Sequence, residues 1–101
     1  MEKNRFALPK REIASFCRRW GVVEFAVFGS ILRAEFNAKS DVDVLVTFAP
    51  NAQVGLFDLA QMQIELESLF GRSVDLVEKD ALRNPFRRRE ILSTAQIVYA
   101  A

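Results

Sequence analysis

The chain has 101 residues, of which half are hydrophobic and 27% charged, with a formal net charge of +1 from 14 basic and 13 acidic side chains. That length suits one domain, spanning 1–101, with a core of its own, and the balanced charge argues against a nucleic-acid binder that works through bulk positive charge. With no histidine and a single cysteine, Cys17, histidine-based triads and an internal disulfide are both excluded, and a cytoplasmic setting is expected.

Residues 9–20 (PKREIASFCRRW) place Ile13, Phe16, Cys17 and Trp20 on one helical face, with Pro9 suited to the first turn and Gly21 to the stop. Residues 22–28 (VVEFAVF) form a β-prone run that ends at Gly29. Ser30 is then placed to cap a short helix over ILRAEF, with NAKS as a polar connector. Residues 42–48 (VDVLVTF) predict a second, mostly buried strand, and APNAQVG predicts a loop. Residues 56–70 put Leu59, Met62, Leu66, Leu69 and Phe70 on one helical face, with Gly71 beyond its end. A third strand is expected over 73–78 (SVDLVE). Asn84-Pro85 predicts a cap and a first-turn proline for a helix running to about Thr94. The tail QIVYA suits a short last strand or extended chain. The order predicts an α+β (α/β-like) domain, a small mixed sheet packed against helices.

Side chains alternate along a strand, so Asp41 and Asp43 should share one face while Val42, Val44 and Val46 take the other. The valine face is the expected core face, which leaves the carboxylates on an open one. A short return between the first two strands suits antiparallel pairing, and the long helix between the second and third suits a parallel crossover. Asp75 then falls near the start of its strand, as Asp43 does, and Gly29-Ser30 lies beside both. Three converging carboxylates repel unless cations occupy the site, and two divalent ions about 4 Å apart suit in-line displacement at phosphorus. A glycine-serine turn offers free N–H groups, close backbone approach and a hydroxyl to phosphate. Singly, each element has an ordinary explanation, a solvated acid or a turn. Jointly, Gly-Ser followed after ten residues by Asp-x-Asp arises by chance in roughly one chain of this length in a thousand, at residue frequencies near 5–7%.

FGSILRAEFNAKSDVDVLV resembles the signature of the DNA polymerase β-like nucleotidyltransferase superfamily, and within it the minimal MNT-type proteins, over nearly the whole chain. Arg33 falls where that group carries an arginine, and Ser40 precedes the first aspartate as it does there. Ala34 replaces the glycine that usually follows the arginine, a departure that bears on the helix turn. The resemblance implies two Mg²⁺ ions on Asp41 and Asp43, with Asp75 completing the site of the ion that activates the nucleophile. Gly29 and Ser30 would hold the β- and γ-phosphates of the nucleoside triphosphate, with Arg33 as a further contact. The implied reaction moves AMP from ATP to a hydroxyl and releases pyrophosphate.

At 101 residues the chain leaves no room for an acceptor-binding domain, so the acceptor is expected on a partner. MNT proteins pair with HEPN-type RNase toxins, and the resemblance implies an antitoxin that adenylylates a tyrosine of such a toxin. The alternatives are an antitoxin that acts by binding alone, or a nucleotidyltransferase for a small molecule or RNA with a separate acceptor-binding subunit. No apolar run approaches the ~20 residues that cross a bilayer, and MEKNRFALPKRE lacks the apolar stretch of a signal peptide. No membrane contact or direct nucleic-acid binding is therefore expected. Arg87, Arg88 and Arg89 are candidates for triphosphate or an acidic partner, with a solvated helix face as the simpler reading; Cys17, Trp20 and Tyr99 are read as packing.

Overall fold

The computed structural model describes residues 8–32 and 40–101, and nearly every apolar run in them becomes one element. In chain order these are α1 (Lys10–Trp20), β1 (Val22–Phe28), a 3-10 turn (Gly29–Leu32), β2 (Val42–Phe48), α2 (Leu56–Phe70), β3 (Val74–Glu78), a second 3-10 turn (Lys79–Ala81), α3 (Pro85–Thr94) and β4 (Gln96–Ala100). The strands form one sheet in the order β3-β2-β1-β4. β1 runs antiparallel to β2 and β4, whereas β2 and β3 are parallel. The expected α+β domain with a small mixed sheet is what the chain adopts.

Local chemistry accounts for most boundaries. Pro9 immediately precedes α1, one place earlier than its expected first-turn position, and Gly21 and Gly71 end α1 and α2 in the left-handed conformation. At the start of α3 the Asn84 Oδ1 accepts from the N–H groups of Phe86 and Arg87, and Pro85 opens the helix. QIVYA is a strand, paired with β1. Ser30 lies within its 3-10 turn rather than capping a helix. The remainder of ILRAEF, including Arg33 and Ala34, lies outside the described residues.

The valine face behaves as expected. Val42, Val44 and Val46 are fully buried at 0% exposure and pack with Phe25 and Val27, under Ile13, Phe16 and Cys17 of α1 and Met62, Leu66 and Phe70 of α2. The opposite face is not open along its length. Ala26, Phe28 and Leu45 form a second buried cluster there with Leu82 and Ile91, brought by the chain after β3 and by α3. The period-two row that starts with Asp41 and Asp43 runs on into Leu45, so only the beginning of that row is polar. Central strands covered on both faces need apolar residues on both. Among the described residues no helix is long and apolar enough to cross a membrane.

Candidate active site

One end of the sheet gathers the residues that the sequence singles out. Phe28 at the end of β1 stands opposite Asp43, and on the other side of β2 Asp43 stands opposite Asp75. Cross-strand partners point to the same face, so the Gly29 turn, Asp43 and Asp75 sit on three adjacent strands at one level. Asp41 lies just before β2, exposed, and Asp75 is exposed while Asp43 is partly buried.

Gly29 joins the turn to the carboxylate. Its φ of +75° is a region that side chains disfavour. A Cβ built there would run into the carboxylate of Asp43, meeting Oδ2 and lying 3.1 Å from Cγ. The backbone at Gly29 thus touches the Asp43 side chain, and glycine is the residue that lets it. Ser30 Oγ donates a long, 3.5 Å hydrogen bond to the Asp41 carbonyl oxygen, which ties the turn to the start of β2. The first N–H groups of a helical turn have no partner inside it, so Gly29 and Ser30 bring donors beside Asp43.

Two residues that sequence reasoning passed over hold this end together. Arg72 Nη1 donates to the Ser40 carbonyl at 3.3 Å, and the Ser73 carbonyl accepts from Val42 N–H at 2.9 Å. Glu67, on the last turn of α2, accepts from Val74 N–H at 3.2 Å. The Arg72 contact joins residues 32 apart along the chain and the Glu67 contact residues 7 apart, both around the start of β3, and no local motif signals them. Asp75 follows Val74 directly, so these contacts set its place against Asp43.

The arginine run divides. Arg88 Nη1 donates to the carbonyls of Lys79 and Leu82 at 3.0 and 3.5 Å, clamping the turn after β3 onto α3. Arg87 lines a groove at the far end of β3 with Leu76, Val77 and Glu78, away from the carboxylates. Cys17 is fully buried in the main core, and desolvation pushes its thiol up to about 12, with the neighbouring Arg18 charge opposing. That environment disfavours a thiolate nucleophile. Trp20 donates through Nε1 to Glu65 at 3.0 Å, so it anchors α1 to α2 while packing against the core.

Among the described residues no three His, Cys, Asp or Glu side chains stand close enough together to hold one metal ion. The backbone delivers Asp41, Asp43 and Asp75 to one edge without drawing their carboxylates to a common point, as mutual repulsion of like charges favours. The donor set itself fits a hard cation. It is all carboxylate oxygen, in a chain without histidine whose one thiol is buried elsewhere.

Residues 10–98 match the nucleotidyltransferase domain family. A Methanocaldococcus jannaschii protein named as a candidate protein adenylyltransferase is 34% identical over 86 residues, covering 85% of this chain and 89% of its own. The protein adenylyltransferase MntA of Thermococcus cleftensis is 42% identical over 66 residues, 65% of each chain. A solved minimal nucleotidyltransferase candidate superposes with a TM-score of 0.71 at 37% identity, over 86% of both chains. A toxin–antitoxin complex with AMP-PNP shares the fold at a TM-score of 0.75, with 18% identity over 93% of this chain and 75% of the other.

Proposed function

Since the chain belongs to the nucleotidyltransferase domain family and is a nucleotidyltransferase, we propose that it transfers AMP from ATP to a tyrosine hydroxyl of a partner HEPN RNase toxin and serves as that toxin's antitoxin. The observation that carries the reading is the contact between Gly29 and the Asp43 carboxylate, with Asp75 opposite Asp43 across the next strand. A phosphate held on the turn is thereby set beside the carboxylates. Sequence relatives named for protein adenylyltransferase activity support the reaction. A structural neighbour described as a tri-AMPylated Shewanella oneidensis HEPN toxin with its MNT antitoxin suggests the kind of acceptor.

Asp41, Asp43 and Asp75 would hold two Mg²⁺ ions. Bound there, the ions would supply charge neutralisation to the attacking and leaving oxygens of displacement at phosphorus. The N–H groups of Gly29 and Ser30 and the Ser30 hydroxyl receive the β- and γ-phosphates, with Arg33 as a further contact to them. The acceptor oxygen attacks the α-phosphorus, the bond to the bridging oxygen of the β-phosphate breaks, and pyrophosphate leaves on the side of the turn. Asp75, exposed at the edge of this row, takes the acceptor proton. Setting both reactants in line supplies much of the acceleration in such a reaction.

The test is incorporation of label from α-labelled ATP into a co-purified HEPN partner in the presence of Mg²⁺, compared with an Asp41→Asn/Asp43→Asn variant. Transfer by the native protein and none by the variant is expected. A variant that still binds the toxin but no longer neutralises it places the antitoxin effect in the chemistry. A variant that neutralises as well as the native protein would show that binding alone suffices and would overturn the catalytic reading.

A further inference from the structure

β3 is an edge strand, paired with β2 alone. Its backbone polar groups alternate between that partner and the open side. The Ser73 carbonyl accepts from Val42 N–H, so Ser73, Asp75 and Val77 turn their groups to β2, and Val74, Leu76 and Glu78 turn theirs outward. The Val74 N–H agrees with this direction, since it donates to Glu67 of α2 and not to a strand. Further along, the outward row is unpaired: among the described residues nothing bonds to the N–H or C=O of Leu76.

A groove of about 420 Å³ follows this edge. Leu76 and Glu78 line it from β3, Leu59 and Ala60 from α2, and Leu82 and Arg87 from the chain after β3. Leu59 packs with the valine-face core and Leu82 with the second cluster, so the two walls stand on opposite faces of the sheet with the strand edge between them. An unpaired strand flanked in this way is the setting in which an extended peptide adds as a further strand.

Resting on the nucleotidyltransferase reading, we propose that the free edge of β3 receives an extended segment of the acceptor protein as an added strand, and that this segment carries the acceptor hydroxyl to Asp75. The direction of the reaction selects this edge. In-line displacement puts the acceptor and the pyrophosphate on opposite sides of the α-phosphorus. The Gly29 turn, Asp43 and Asp75 lie in that order across β1, β2 and β3. With the phosphates on the turn, the acceptor enters from beyond β3, two strand spacings or about 10 Å from β1. The other edge strand, β4, lies past β1 on the pyrophosphate side. A strand added to β3 sets one residue opposite Asp75 with its side chain on the same face.

Charge selects the occupant. Asp75 and Glu78 put two carboxylates into the five residues of β3. They repel the phosphates of a nucleic acid and the equally acidic β3 of a second copy. A polypeptide segment with neutral or basic side chains beside β3 meets both the charge and the unpaired backbone row.

Hydrogen exchange of the full chain, with and without the HEPN partner of the transfer assay, reads the edge directly. The Leu76 and Glu78 amides should exchange at least about tenfold more slowly in the complex. Two variants block an added strand without touching the carboxylates or the Gly29 turn. Leu76→Pro removes the outward donor at an edge position, where proline is tolerated, and Ala60→Trp fills the groove from an exposed site on α2. Both should bind Mg²⁺ and ATP as the native chain does, yet transfer label to the partner with kcat/KM lowered at least about tenfold. If Leu76→Pro fails to fold, Ala60→Trp and the exchange rates decide. Native rates of transfer in the folded variants, or transfer without protection of the edge amides, would overturn the strand assignment and leave the proposed reaction intact. Protection that grows with the concentration of the chain alone would give the edge to a second copy and overturn the assignment too. A native chain that moves no label to the partner would overturn the proposed reaction itself, and this inference with it.

Discussion

Replacing Gly29 with alanine separates two effects that one methyl group produces. The first is backbone strain. At φ +75° a side chain costs about 1–2 kcal/mol relative to glycine, enough to lower the melting temperature of a domain this size by about 4–16 °C. The second is displacement, because the new Cβ occupies the space of the Asp43 carboxylate, 3.1 Å from its Cγ and 3.4 Å from its Cβ. With contacts that deep along the side chain, turning the carboxylate alone is not enough, and Asp43 must leave its rotamer. Gly71 provides the control. Its φ of +71° carries the same strain, but an added Cβ there meets nothing within 4 Å. Both variants should lose similar stability in urea unfolding followed by Trp20 fluorescence. Only Gly29→Ala should lose transfer activity, by about a hundredfold or more, as expected when a reacting group is misplaced by about 1 Å. Equal activity in the two variants, measured as label transferred from ATP to the partner, would refute the link between the turn and the carboxylate.

Asp43 and Asp75 face each other across β2 and β3, and like charges so placed destabilise a sheet by about 0.2–1 kcal/mol. Asp75→Asn should therefore raise the melting temperature slightly in metal-free buffer, abolish transfer, and reduce the stabilisation that added Mg²⁺ gives the native chain, all read by calorimetry. The raised thiol pKa of Cys17, about 12 against the ordinary 9.0, favours the protonated form in the folded state. Its contribution is complete below pH 9 and is lost as pH rises toward 12, at up to about 1.4 kcal/mol per pH unit. Cys17→Ala should show a shallower loss of unfolding free energy over that window. Glu65 is held below the usual carboxylate range, first by the Trp20 indole N–H, and by Arg19 and Gln61, so its small contribution is present above pH 4.5 and fades as pH falls through the lowered value. With Arg19 57% exposed, Glu65→Gln should cost under about 1 kcal/mol at pH 7 and flatten the acid limb of a Trp20 fluorescence titration. Met62→Ala, at a fully buried position, should cost about 2–5 kcal/mol in urea unfolding.

Legibility followed the range of the interactions. Helix stops at Gly21 and Gly71, the Asn84-Pro85 start and the valine row are local chemistry, and each was readable. Connection length predicts the strand pairing, and with it an Asp75 near the start of its strand as Asp43 is, which the parallel register of β2 and β3 bears out. The second apolar cluster was less visible because Leu82 and Ile91 lie in segments with weak periodicity, so the face of Asp43 read as open. Arg72 and Glu67 act through a carbonyl and an N–H on other elements, contacts for which a side chain's identity gives no direction.

The mixed sheet explains why two aspartates and a turn so far apart in sequence meet. An antiparallel neighbour finishes where β2 begins, and a parallel neighbour starts there. β1 therefore delivers Gly29 at its exit and β3 delivers Asp75 at its entry, both at the entry of β2. Had β3 run antiparallel, an acid at its start would lie at the opposite end of the sheet, about 20 Å away for a seven-residue strand. The 15 residues of α2 make the crossover that permits parallel entry. That helix buries Met62 and Leu66 over the valine row, so the core contact that holds the domain together also fixes the direction of β3. A one-residue slip of β2 would send Asp43 into that core and Val44 to the turn, at a cost in burial that selects the observed register. The position of Asp43 between Gly29 and Asp75 is in this sense a consequence of packing Val42, Val44 and Val46.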